Sequence, residues 1–387
     1  MSEADLRRLR SLASAKWTWH DGDVLPAWVA DMDLPPAPVA IESVHAFAEK
    51  GDFGYSFRAV RQLPEVFSAW EERRHGWRPA AERVRVFSGV MQAVDVALWM
   101  HCKPGDGVIV LTPIYPPFLK SARAGGRRLI DCPLDPHGWR LDAERLEAAA
   151  MEPDARAILL CNPHNPTGRA FSAVELTTIA EAAERYDLLI VSDESWGDLV
   201  HPGARHVPIA SISSATAART VTISAASKAF NLAGLCCAAA HVGHDGVHDA
   251  IKALPGDVLG GVGSLGAEAS VAAWMRGDEW LDETCVHLTA MRDHVAARLS
   301  TEMPDARFTL PEATYLAWLD LRAYGLGDDP ARALLEDARV ALSPGPDFGE
   351  HGAGFARLNF ATTRPILDEI LDRIVARLTW AGRRAVS

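Results

Sequence analysis

The sequence is short of positive charge: 39 Lys and Arg face 51 Asp and Glu, a formal net charge of −12. Nucleic acids and anionic membrane surfaces are bound by clustered Lys and Arg, so neither is an expected partner. Long apolar runs are also missing, and none approaches the ~18 residues of a membrane-crossing helix. The stretch Met1 to Arg10 is charged and has no apolar centre, which argues against a signal peptide. Only six cysteines are present (Cys102, Cys132, Cys161, Cys236, Cys237 and Cys285), too scattered for a disulfide framework and suited to a reducing cytoplasm. Cys236, Cys237, His241, His244 and His248 lie close together, but their spacing fits no structural zinc pattern. They are expected to be core thiols and turn histidines, with no metal. Internal repeats and low-complexity tracts are absent.

What the sequence does have is length and rhythm. At 387 residues it exceeds what one core usually supports, so two domains are expected. From about Arg83 to Ser224, short apolar runs alternate with amphipathic stretches. Strands are predicted at Arg83–Ser88, Val108–Thr112, Arg128–Pro133, Ala157–Cys161, Leu188–Ser192 and Thr220–Ser224. Helices are predicted at Val90–His101, Pro116–Ala124, Ala143–Ala150 and Ser172–Tyr186, the last opening on a capping box, Ser172-Ala-Val-Glu175. The apolar runs show no alternation, as expected of strands buried on both faces of a mostly parallel α/β sheet. Residues 1 to about 45 read as irregular chain. From Asp278 a helix to Met303, a strand Thr314–Leu321, a helix near Ala331 and a closing helix Pro365–Ala381 form an α+β segment. The expected division is a large α/β domain at 46–277 and a small domain from 1–45 and 278–387.

Open parallel sheets bind ligands beyond the carboxyl ends of their strands. The polar residues just past those ends are Gly89 with Val90 and Met91, then Tyr115, Asn162 and Asn165, Asp193, and Ser227 with Lys228. Each has an ordinary explanation. Gly89 suits a tight turn, Asn165 suits turn chemistry and Lys228 suits a solvated surface. Together they suggest one crevice. Gly89 would let a phosphate approach the amides of a helix start. Asp193 at the core edge needs a cationic partner, and Lys228 after a buried strand is placed to be a desolvated, nucleophilic amine. Gly261-Val-Gly263-Ser-Leu-Gly266 matches the dinucleotide pattern but follows no apolar strand. It is expected to be a flexible loop capping a helix Ala267–Met275.

These residues resemble the MalY/PatB group of cysteine-S-conjugate β-lyases, of the cystathionine β-lyase type, within the fold-type I aminotransferase superfamily. The likeness runs through Trp-Val-Ala-Asp-Met-Asp (28–33), Gly-Asp-Phe-Gly-Tyr-Ser (51–56), Ser-Gly-Val (88–90) and Thr-Pro-Ile-Tyr-Pro-Pro-Phe (112–118). It continues through Asn-Pro-His-Asn-Pro-Thr-Gly (162–168), Ser-Asp-Glu (192–194) and Ser-Lys-Ala-Phe-Asn-Leu-Ala-Gly-Leu (227–235). Thr-Tyr-Leu-Ala-Trp-Leu-Asp (314–320) and Arg-Leu-Asn-Phe-Ala-Thr (357–362) complete it.

The resemblance implies a fold-type I enzyme that carries pyridoxal phosphate (PLP) on Lys228 as a Schiff base. Lys228 would then act as base on the substrate's Cα. Asp193 would hold the pyridine nitrogen protonated, Asn165 would bond the phenolic oxygen, and Tyr115 would lie near the ring. The amides of Val90 and Met91 with Ser227 would hold the phosphate, joined by Tyr55 from the neighbouring subunit of a homodimer. Arg357 would fork the α-carboxylate of a small amino-acid substrate, with Asn165 and Tyr55 beside it. Eight residues after Lys228, where general aminotransferases carry arginine, stands Cys236, and the lyase branch commonly lacks that arginine too. Three residues after Asp193, where the branch has His and aminotransferases Tyr, stands Trp196, which can donate a hydrogen bond but cannot titrate. The implied reaction is β-elimination from an L-cysteine S-conjugate. Transamination, decarboxylation-linked deamination and a non-catalytic regulator on the same fold are the alternatives.

Overall fold

The computed structural model describes residues 3–51, 53–54, 57–255 and 258–384. Its centre is a seven-stranded sheet of β1 (Val84–Phe87), β2 (Gly107–Thr112), β3 (Arg128–Pro133), β4 (Ala155–Cys161), β5 (Leu189–Asp193), β6 (Thr220–Ser224) and β7 (Ala238–Val242). The order across the sheet is β1-β7-β6-β5-β4-β2-β3, and β7 alone runs against its neighbours. The fold-type I architecture implied by the resemblance is therefore present. Alternate residues of the central strands enter two different cores. Val108, Val110, Leu159 and Val191 pack on one face, Ile109, Leu111, Ile158, Leu160 and Ile190 on the other. This double burial is why those strands read as unbroken apolar runs.

Two expectations about strands need correction. Strand β3 lies on the sheet's edge and alternates exposed with buried residues, so it is not buried on both faces. Strand β7 was not expected at all. Its sequence, Ala-Ala-Ala-His-Val, lacks the β-branched run that marks a strand, and burial between β1 and β6 overrides weak propensity. His241 therefore sits in a buried strand against the Trp77 ring rather than in a turn. His244 does cap a helix, its Nδ1 accepting from the Val247 amide at 3.3 Å.

The capping box forms as expected: Ser172 caps the helix Ala173–Arg185, and Glu175 reaches back to it. The first 45 residues are not simply irregular. Helices cover Glu3–Arg10 and Pro38–Glu49, and the Pro-rich stretch ends by supplying proline to the second helix's first turn. The expected boundary at 45/46 falls inside that helix. A long helix, Arg58–His75, follows.

The glycine pattern at 261–266 starts a helix Ser264–Arg276, three residues earlier than expected. A Cβ on Gly266 would lie 2.1 Å from the Leu235 carbonyl oxygen, so its last glycine serves close packing. The second sheet contains β8 (Arg307–Phe308), β9 (Leu316–Asp320), β10 (Ser343–Pro344) and β11 (Phe355–Asn359) in antiparallel order β10-β11-β9-β8. Helices Asp278–Glu302 and Arg364–Arg384 accompany it.

Candidate active site

Because β7 alone is reversed, β1, β2, β4, β5 and β6 all end on one edge of the sheet. Their following residues line one cavity of about 490 Å³: Gly89, Val90, Met91, Tyr115, Asn165, Asp193, Trp196, Ser227 and Lys228. Arg357, from β11 of the second sheet, closes the opposite wall. Asn162 does not join them. Its side chain bonds the Phe171 amide and the Val207 carbonyl and holds the loop together instead. Tyr55 lies outside the described residues.

Gly89 is extended (φ 171°), not the tight turn its type suggests, so the backbone alone does not demand glycine there. A Cβ at Gly89 would meet nothing within 4 Å, and no side chain caps the helix Val90–His101 that it starts. The first-turn amides thus remain available to an anion.

Opposite them, the segment 28–34 is strapped over the site by side chains that bond its backbone. Arg357 Nη2 donates to the Trp28 carbonyl at 2.7 Å, and the Ser343 hydroxyl donates to the same oxygen at 2.8 Å. Lys228 Nζ donates to the Ala30 carbonyl at 2.9 Å, as does the Tyr315 hydroxyl at 2.8 Å. Asn359 bonds the carbonyls of Val29 and Asp31, and Asn231 bonds Met32 and Leu34. None of these acceptors was legible in the sequence, since every residue carries the same carbonyl.

Burial sets the electrostatics. It pulls the Lys228 amine below the usual lysine range, although Asp31 and Asp193 oppose it. It pushes the Asp193 carboxyl up, while bonding to Ser195, whose amide lies 3.0 Å from Oδ1, and the charge of Lys228 hold it down. Arg357 is brought down to about 10 by the same desolvation. Its Nη1 donates to Asn165 Oδ1 at 2.9 Å, which turns the Asn165 amide nitrogen into the group offered to the cavity. Trp196 is buried, with its ring 5.7 Å from Lys228 Nζ and 4.8 Å, edge-on, from Tyr315. Cys236 is exposed at the cavity wall, whereas Cys237 is buried and its thiol is pushed up to about 11.

A desolvated amine, a half-satisfied carboxylate, an amide donor, a free helix start and a buried guanidinium on one cavity coincide with a match over residues 47–374 to the model for "Aminotransferase class I and II". The chain belongs to that family. Among the curated relatives that it matches, "Putative cystathionine beta-lyase" of Mycobacterium leprae is 36% identical, with 97% of each chain covered. "Cystathionine beta-lyase PatB" of Bacillus subtilis is 35% identical, over 92% of this chain and 93% of the relative. A solved putative PLP-dependent beta-cystathionase from Corynebacterium diphtheriae is 32% identical, with a TM-score of 0.91 over 97% of this chain and 98% of that one.

The donor set fits the cofactor named for that structure. Asp193 could pair with a protonated ring nitrogen, the charge partner a buried carboxylate requires. Ser227 and the amides beyond Gly89 could take the phosphate, and Lys228 is one of only six lysines in the chain.

Proposed function

We propose that this family member is a PLP-dependent carbon–sulfur β-lyase acting on an L-cysteine S-conjugate and releasing thiol, pyruvate and ammonia. The observation that carries the reading is the half-buried Lys228 amine, sharing one cavity with Asp193 and Arg357. The naming of full-length relatives as cystathionine beta-lyases selects elimination among the reactions this machinery can run.

PLP, when bound, supplies a carbonyl for the substrate amine and an electron-withdrawing ring that stabilises negative charge at Cα. Arg357 binds the substrate's α-carboxylate, and its Nη1 bond to Asn165 fixes the orientation of both groups. Lys228, whose amine burial pulls below the usual lysine range, takes the Cα proton. Asp193 holds a proton at the pyridine nitrogen. The Cβ–S bond then breaks with its electron pair leaving on sulfur, and hydrolysis of the remainder yields pyruvate and ammonia. Tyr115 and Trp196 wall the site and exclude water from the amine.

Within the same proposal, the enzyme is a homodimer in which Tyr55 reaches the partner's phosphate. The exposed apolar side chains of Phe53, Val258 and Met275 support it, as surface that a subunit interface would bury. A cytoplasmic location is supported by six free cysteines.

Product analysis with a panel of S-conjugates tests the reading. Pyruvate plus thiol is expected, whereas a keto acid with pyridoxamine phosphate would replace elimination by transamination. Borohydride treatment should leave a pyridoxyl adduct on Lys228. Mixing Tyr55→Phe and Lys228→Ala protomers should restore activity through dimers with one complete site.

A further inference from the structure

Among the described residues, four charged side chains line the cavity: Asp193, Lys228, Arg357 and Asp347. The first three have roles in the proposed reaction, and Asp347 has none. Its carboxylate is exposed, and no ion pair or side-chain hydrogen bond is found for it among the described residues.

Asp347 belongs to the short helical turn Gly345–Phe348, which has little room to move. A Cβ on Gly345 would lie 2.2 Å from the Gly352 carbonyl oxygen and 2.3 Å from that of Phe355, so the turn is packed backbone against backbone. The Phe348 carbonyl accepts from the Ile114 amide at 2.9 Å, one residue before Tyr115. The Phe348 ring lies 5.1 Å from the Arg357 guanidinium. Ser343, two residues before the turn, is bonded to the Trp28 carbonyl, and the Trp28 side chain lines the same cavity. A negative charge is therefore held on a rigid support, one residue from the aromatic ring that braces the carboxylate-binding arginine.

We infer that Asp347 selects S-conjugates whose departing thiol carries a positive charge, such as a primary ammonium, at its far end. This rests on the lyase reading above. With the substrate's carboxylate on Arg357 and its Cα at Lys228, the S-substituent is the part left to meet the remaining wall. A cation there gains attraction from Asp347 and from the aromatic residues Trp28 and Tyr115 that line the same cavity, whereas an anion is repelled. The competing explanation is a solvated aspartate at the mouth that touches no ligand, which leaves selectivity indifferent to its charge.

Three conjugates separate these: S-(2-aminoethyl)-L-cysteine, its near-isosteric neutral counterpart S-propyl-L-cysteine, and S-(2-carboxyethyl)-L-cysteine. Their kcat/KM values for thiol release are measured in the wild-type enzyme and in Asp347→Asn. Equilibrium binding is measured in parallel on PLP-loaded Lys228→Ala, with and without Asp347→Asn. The aminoethyl conjugate is expected to be favoured over the propyl one by about 5–20-fold, a ratio that shrinks with added salt. Asp347→Asn should bring the ratio close to one and raise the carboxyethyl conjugate relative to propyl. An unchanged ratio in the Asn variant, in turnover or in binding, overturns the inference. Binding without thiol release from any conjugate would instead overturn the lyase reading, and the binding ratios would still decide the role of Asp347.

Discussion

Asp193 and Glu194 are neighbours in the chain and both buried, yet they are solvated by the protein in opposite ways. Glu194 is saturated: Oε1 accepts from the Ser192 hydroxyl at 2.8 Å and the Ile209 amide at 3.2 Å, and Oε2 meets His206 Nε2 at 3.0 Å. Asp193 has the Ser195 amide and an open side facing the cavity. The same division continues along the turn. Trp196 faces the cavity, whereas Asp198 is held by Trp70 Nε1 at 3.1 Å and His75 Nε2 at 3.0 Å. The two imidazoles touch edge-on, with ring centroids 4.9 Å apart. A carboxylate with all its bonds made within the fold is there to hold the turn. One left half-bonded at comparable burial is there for something the fold does not supply.

Paired substitutions would break or sharpen that contrast. Asp193→Asn should cost the most, about 10²–10⁴-fold in thiol-release kcat, with only a small change in melting temperature. Equal damage to folding and rate would place Asp193 with Glu194. Glu194→Ala should do the reverse and cost about 3–5 kcal/mol of stability in denaturant titration. It strips His206, Ser192 and Ile209 of their shared partner at once. Glu194→Gln, which keeps two acceptor sites, should lose less.

A smaller effect is expected with pH. Burial pulls His75 down, but the bond to Asp198 and the charges of Glu71, Asp198 and Glu194 raise it further, to about 8. Glu71, on the same helix, is pushed to about 8 by its own burial. Both groups bind protons more tightly in the folded state. The His75 contribution should therefore be complete below about pH 6.5 and disappear as pH rises through 8, with a loss of the order of 1–2 kcal/mol. Melting curves between pH 6 and 9 would register it, and His75→Gln should flatten the slope. The smallest change belongs to Trp196→His on the cavity side. It should shift the pH dependence of the bound cofactor's absorbance and the partition between products while the fold persists. Identical spectra and partition would make Trp196 mere packing.

The sequence made the sheet's parallel core legible because double burial writes itself as unbroken Val, Ile and Leu. Ala238–Val242 left no such trace, and its placement depends on strands more than a hundred residues apart. Apart from Arg357, which lies within β11 and came only with the family resemblance, the cavity's chemical side chains could be located because they follow strand ends, a consequence of topology. Asn162 shared that position and proved structural, since the direction of a side chain is settled by what its loop needs. Asp347 gave no signal, as it follows no strand of the parallel sheet, and Tyr315 showed only as part of the family-like stretch 314–320. The carbonyls that hold Lys228 and Arg357 could not be foreseen from residue type at all.

Those carbonyls set an entry requirement for the site. Arg357 already donates to the Trp28 carbonyl and to Asn165, so an incoming carboxylate competes with internal tenants rather than with bulk water. Simple anions such as chloride or acetate lack the binding energy to evict a main-chain oxygen fixed by several other side chains. The site should stay indifferent to the salts and metabolic acids around it. Only a molecule that is also held through its amine can recover what Arg357 gives up, so the strap filters for amino acids before any chemistry begins.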